Sequence, residues 1–122
     1  MTKSAIALVA AAASLLASST VPAQTAPIEF RMVPGPRNPA PCTVLDSSMS
    51  RVHSLTIMGD HAVIKSSGGI DDRMRQVSPN VYETMFQLQQ VRLKVVADAS
   101  KSPRTLTVSD ANTGCRWDAT TP

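Results

Sequence analysis

Residues 82–97 read YETMFQLQQVRLKVVA, and the alternation within this stretch decides the fold. With Gln89 and Gln90 as a two-residue turn, Leu88 lies opposite Val91, Phe86 opposite Leu93, Thr84 opposite Val95 and Tyr82 opposite Ala97. Successive side chains of a strand point to opposite faces, so these eight share one side. The other side takes Glu83, Met85, Gln87, Arg92, Lys94 and Val96 and is mostly polar. The pattern predicts a half-buried antiparallel hairpin, and a slip of one residue would turn its apolar set out to water.

The flanking segments repeat the motif. Upstream, Ser78-Pro79-Asn80 is a turn in which Pro sets φ and Asn tolerates a left-handed backbone. A three-residue loop there pairs Val77 with Val81, and by extension Arg75 with Glu83 and Arg73 with Met85. Ile70, Met74 and Gln76 then join the apolar side, and Asp72 points inward with no reason visible in the sequence. Residues 52–66 form a further hairpin about Gly59-Asp60, with His53, Leu55, Ile57, Ala62 and Ile64 inside, and Gly68-Gly69 interrupts the pattern after it. Downstream, residues 104–109 place Leu106 and Val108 in phase. Asn112-Thr113-Gly114 is a turn signal, and Cys115 and Trp117 follow on one face of a last strand.

Strands joined this tightly are antiparallel neighbours. The expected fold is all-β, an antiparallel meander of six to eight short strands, closed as a small up-and-down barrel or folded as a sandwich. Closure removes exposed edges and is the preferred reading. No helical pattern occurs outside the first 23 residues.

Those residues, MTKSAIALVAAAASLLASSTVPA, have a basic start at Lys3, an apolar core over 5–17 and a small residue at the end. This is the layout of a secretory signal peptide cleaved before Gln24; the apolar run is shorter than the roughly 20 residues a spanning helix needs. No cysteine follows the core to carry a lipid. The chain is therefore expected to be exported, to a bacterial periplasm or out of the cell, and not to span the membrane after cleavage. A proline-rich arm would follow over 24–41, with prolines at 27, 34, 36, 39 and 41, extended apart from a short edge strand at 28–33. The remaining 42–122 make a single domain. Loss of Lys3 lowers the net charge from +3 to +2, too little to indicate nucleic acid.

A domain this small buries a modest share of its surface and gains from a covalent link. Cys42 and Cys115 supply one in an oxidising compartment, and the long loop they close contributes about 4 kcal/mol in the chain-entropy account. Two free thiols are the alternative. Two cysteines without a third or a nearby histidine do not make a zinc cage.

Catalytic patterns are missing. His53 and His61 fall on opposite faces, and Asp71-Asp72 diverge along a strand. No G-x-S-x-G elbow or phosphate-cradling glycine loop occurs, so neither an enzyme nor a cofactor or metal is implied. Tyr82, Phe86 and Trp117, with Thr84 and Gln76 among them, make either a filled core or the lining of a small-ligand cavity. A disulfide-bearing exported barrel resembles the bacterial lysozyme inhibitors in layout. Their serine-glycine loop ahead of a strand tyrosine is missing, as is the G-x-W of lipocalins, and no family is assigned.

The derived pairings bring Arg73, Arg75, Arg92 and Lys94 onto one outer face with a single acid, Glu83, among them. Such a face is either a solvated surface that discourages aggregation or a contact for an anionic partner, an acidic protein or an envelope polymer. The function expected from sequence is an exported binding module acting through this face. The competing reading is a structural or accessory component of the cell envelope with no ligand of its own.

Overall fold

The two-residue turn at Gln89-Gln90 forms, and the hairpin follows the expected register over its whole length, from Leu88↔Val91 through Phe86↔Leu93 and Thr84↔Val95 to Tyr82↔Ala97. These are strands β6 (Val81–Leu88) and β7 (Val91–Asp98). The computed structural model describes residues 26–67 and 69–122; the segment read as an export signal lies outside them.

Seven strands run from Val52 onward. Ahead of β6 and β7 come β3 (Val52–Ile57), β4 (His61–Ser66) and β5 (Asp71–Ser78). After them come β8 (Arg104–Ser109) and β9 (Arg116–Thr121). Each pairs antiparallel with its neighbours in sequence, as short connections require.

The proline-rich segment does more than its composition suggested. It contributes β1 (Ile28–Arg31) and β2 (Val33–Pro34). β1 pairs with β3, whereas β2 pairs with β9. One nearly continuous run of chain thus joins the first and last strands of the meander, and the nine strands form an almost closed, barrel-like sheet. The expected edge strand at 28–33 is therefore a closing strand. Its prolines are tolerated because β2 is only two residues long and Pro34 ends it.

One element was not anticipated. A 3-10 turn (Ala40–Cys42) runs into a helix, α1 (Thr43–Met49). Its sequence, TVLDSSM, is rich in poor helix formers, and seven residues are too few to be helical alone. Tertiary contacts hold it. Leu45 and Met49, four apart and so on one face, are both buried in the core. Cys42, the residue before the helix, is bonded to Cys115 across 73 residues of sequence, as the cysteine content implied. Because β2 ends and β3 begins at the end where α1 sits, the helix lies across that end of the barrel.

The core is the inner face of the sheet closed by that helix. Phe30, Leu55, Met74, Tyr82, Leu93, Leu106 and Trp117 are all buried in one cluster. Both large aromatic polar groups are satisfied there: Tyr82 Oη donates to the Gly59 carbonyl at 3.3 Å, and Trp117 Nε1 donates to Asp46 Oδ1 at 2.8 Å. One partner lies in the β3–β4 turn and the other in α1, so the two bonds tie opposite ends of the barrel.

Candidate functional site

The outer surface of β5, β6 and β7 carries the four cations singled out by the sequence. Arg73 and Arg75 stand on β5, and Arg92 and Lys94 on β7. All four side chains are exposed because odd positions of β5 and even positions of β7 face outward. Glu83, between them on β6, reaches two: Arg75 Nη2 lies 3.4 Å from its Oε1 and Lys94 Nζ 3.8 Å from its Oε2. Arg73 and Arg92 make no ion pair among the described residues. Exposed pairs at these separations contribute little to stability.

The ladder beneath this face departs from the sequence reading in two places. The β5–β6 turn has two residues, Pro79 and Asn80, with Ser78 paired to Val81 and Val77 bulged out; Asn80 takes the left-handed backbone at φ 60°. The bulge absorbs the difference, so Arg75↔Glu83 and Gln76↔Tyr82 keep the expected register. Beyond Arg75↔Glu83 the β5–β6 ladder stops, and the pairing expected between Arg73 and Met85 does not form. β5 meanwhile continues on β4 to Lys65↔Asp71, and β6 continues on β7 to Leu88↔Val91. The two strands therefore part along a seam in the barrel wall.

The seam accounts for the uneven burial of the hairpin and for the position of Asp72. Thr84, Phe86, Leu88 and Val91 point inward as the alternation requires but are only partly buried, whereas Tyr82, Leu93, Val95 and Ala97 are fully so. The first four lie alongside the open stretch. Asp72, whose inward position made no sense in a closed wall, opens instead onto the seam, in a depression shared with Phe86 and Leu88. A second depression lies further along, between Arg73, Arg75 and Glu83, and a third over β7 against Arg92 and Lys94. Met85 borders all three and is 47% exposed. An adaptable apolar side chain with cations on two sides and Asp71 and Asp72 on a third is thus the centre of this face.

The chain matches no family model, and comparison with curated proteins and with solved structures gives no match.

Elsewhere the surface is less organised. His61 lies outward with Nδ1 2.9 Å from Asp60 Oδ1; that hydrogen bond, reinforced by the histidine's charge, lowers the carboxyl's pKa. His53 is fully buried on β3, its Nδ1 3.1 Å from the Arg51 carbonyl, and its Nε2 has no hydrogen-bond partner among the described residues. Burial lowers its pKa, opposed by the contact with Arg51. Among the described residues no group of three or more His, Cys, Asp and Glu side chains could hold a metal ion, and no helix is long and apolar enough to cross a membrane. The disulfide sits where α1 meets the β8–β9 loop, whose residues Asp110, Ala111 and Asn112 also border the depression over Arg92 and Lys94. There the buried Asp110 carboxylate organises the loop by accepting from the Asn112 amide at 3.0 Å and from Thr113 Oγ1 at 2.7 Å.

Two parts of this arrangement escaped sequence reasoning. The seam depends on where a ladder stops, which alternation does not encode; the misplaced Asp72 was its one trace. The unpartnered His53 nitrogen depends on which atoms surround an inward position, and only the inward position itself was readable.

Proposed function

We propose that this chain is an exported binding module that holds an anionic partner on the β5–β7 face. The observation that carries the reading is the convergence on Met85 of two surface depressions, one lined by Arg73 and Arg75 and the other by Arg92 and Lys94. Arg73 and Arg92, without ion pairs among the described residues, keep their charge available, and Lys94 is held only by an exposed contact to Glu83 at 3.8 Å. An exposed methionine among them supplies contact area that adapts to its ligand. The barrel gives this patch a rigid base, since strands β6 and β7 are paired along their full length. Export, read from the first 23 residues, agrees with the disulfide. The partner class is an acidic protein or an envelope polymer. No chemistry is assigned to the site, because no nucleophile and base approach each other on this face.

Retention on immobilised polyglutamate tests the reading. The protein should bind at about 0.1 M salt and elute well before about 1 M, where the Debye length falls to roughly 3 Å. Arg73→Gln, Arg92→Gln and Lys94→Gln together should abolish retention and leave thermal unfolding unchanged. A control triple variant, Arg31→Gln, Arg37→Gln and Lys101→Gln, removes the same charge from other exposed positions and should still be retained. Equal loss in both would mean that net charge, and not this face, does the binding.

A further inference from the structure

The seam exposes backbone as well as side chains, and the strand pairing identifies which groups. In the β3–β4 hairpin the Met58 amide donates to the His61 carbonyl. His61, Val63 and Lys65 therefore bond to β3, and the alternate residues Ala62 and Ile64 turn to β5. The bond from the Ser66 amide to the Ile70 carbonyl keeps the same phase. Met74 and Asp72, opposite Ala62 and Ile64, thus bond to β4, while Asp71 and Arg73 direct their amides and carbonyls into the seam. On β6, Leu88 closes the two-residue turn against Val91. The same alternation assigns Leu88, Phe86 and Thr84 to β7 and leaves Met85 and Gln87 facing the seam.

Two strand edges with free ladder positions therefore look at each other across adjoining depressions. One contact partly occupies this polar row: Thr84 Oγ1 donates to the Met85 carbonyl at 3.5 Å. A bare edge is an invitation to strand addition. Neither strand carries a proline between the ladder's end and its turn, at 71–74 on β5 or 84–88 on β6, to oppose such addition.

The surroundings select the occupant. A segment lying along the seam would turn alternate side chains outward, toward Arg73, Arg92 and Lys94, and the others inward, toward Phe86 and Leu88. Asp71 and Asp72 stand at one end of the seam, with Lys65 opposite Asp71. The acidic side chains of such a segment are attracted most strongly beside Arg73, Arg92 and Lys94 and least beside Asp71 and Asp72. We infer that the anionic partner is a polypeptide, and that it binds by adding one extended segment of alternating acidic and apolar residues to the β5–β6 seam. This rests on the basic-face reading and narrows it: backbone hydrogen bonds supply affinity, and the alternating pockets supply selection.

The test uses a capped octapeptide alternating Glu and Val, fluorescently labelled and titrated with the full disulfide-bonded chain. It should bind. The same peptide N-methylated at alternate residues, which keeps all the charges but removes donors along one edge, should bind about tenfold more weakly or worse, as expected for lost backbone hydrogen bonds. The Arg73, Arg92, Lys94 triple variant should lose both peptides. If N-methylation at either phase leaves affinity unchanged while polyglutamate is still retained, strand addition is wrong and the basic face alone survives. If neither polyglutamate nor the octapeptide binds, both readings fall. A free chain that sediments as a dimer, and releases monomer only when the octapeptide is added in large excess, would overturn the proposal in favour of a second copy at the seam.

Discussion

Trp117 and Asp46, 71 positions apart in sequence, are joined by an indole N–H to carboxylate hydrogen bond of 2.8 Å. The bond fixes the short helix α1 onto the start of β9. It also satisfies the one polar atom of a fully buried side chain. Hydrogen bonds to charged groups contribute about 1.5–3 kcal/mol, so Asp46→Ala should lower stability by about that amount. Asp46→Asn, which keeps an acceptor, should lose less. Trp117 is the sole tryptophan, so denaturant unfolding followed by its fluorescence reports the change at the bond itself. An Asp46→Ala midpoint equal to the parent's would mean that α1 is held by Leu45, Met49 and the disulfide alone.

His53 predicts how stability follows pH. Burial holds its folded pKa below the ordinary 6.5 of the unfolded chain, with the Arg51 carbonyl opposing. In the window from 6.5 down to the folded value, the unfolded chain binds the extra proton. Stability therefore falls as pH drops through that window and is fully present above it. His53→Phe should flatten this part of the profile, measured as unfolding free energy against pH. A slope unchanged by that substitution would place its origin in other groups.

Substitutions along the anchoring hairpin should report the seam. Leu93 is inaccessible to solvent, and Leu93→Ala should cost about 2–5 kcal/mol. Phe86 points inward beside the opening and is only partly buried, so Phe86→Ala should cost less than the 3–5 kcal/mol typical of a closed core. Met85→Ala and Gln87→Ala, both exposed, should stay within about 0.5 kcal/mol. Thermal or urea unfolding of the four variants ranks them; a Phe86 variant as costly as full burial would mean a closed wall.

Most of the barrel was legible because period-two alternation and two-residue turns act locally. Residues 82–97 set their own register, and Arg75↔Glu83 followed from it even though the turn beside them was one residue shorter than expected. What stayed hidden depends on distant parts of the chain. The residues of α1 favour no helix by themselves, and only the core beneath Leu45 and Met49 makes them one. Residues 28–33 read as a short edge strand in a proline-rich arm, yet the pairing of 28–34 with both β3 and β9 is decided by where those strands end up. The four cations were placed on one face by counting from the hairpin turn, while the seam between them lies where β5 and β6 cease to pair.

Amide hydrogen exchange along β5 and β6 of the free protein tests that seam most directly. The account predicts alternation: the amides of Asp72, Met74, Thr84 and Phe86, bonded to β4 or β7, are protected, and those of Asp71, Arg73, Met85 and Gln87 exchange orders of magnitude faster. Arg75 and Glu83, at the last ladder pair, belong with the protected set. If the Arg73 and Met85 amides prove as protected as those of Met74 and Phe86 in the monomer, the wall is closed and no segment adds there.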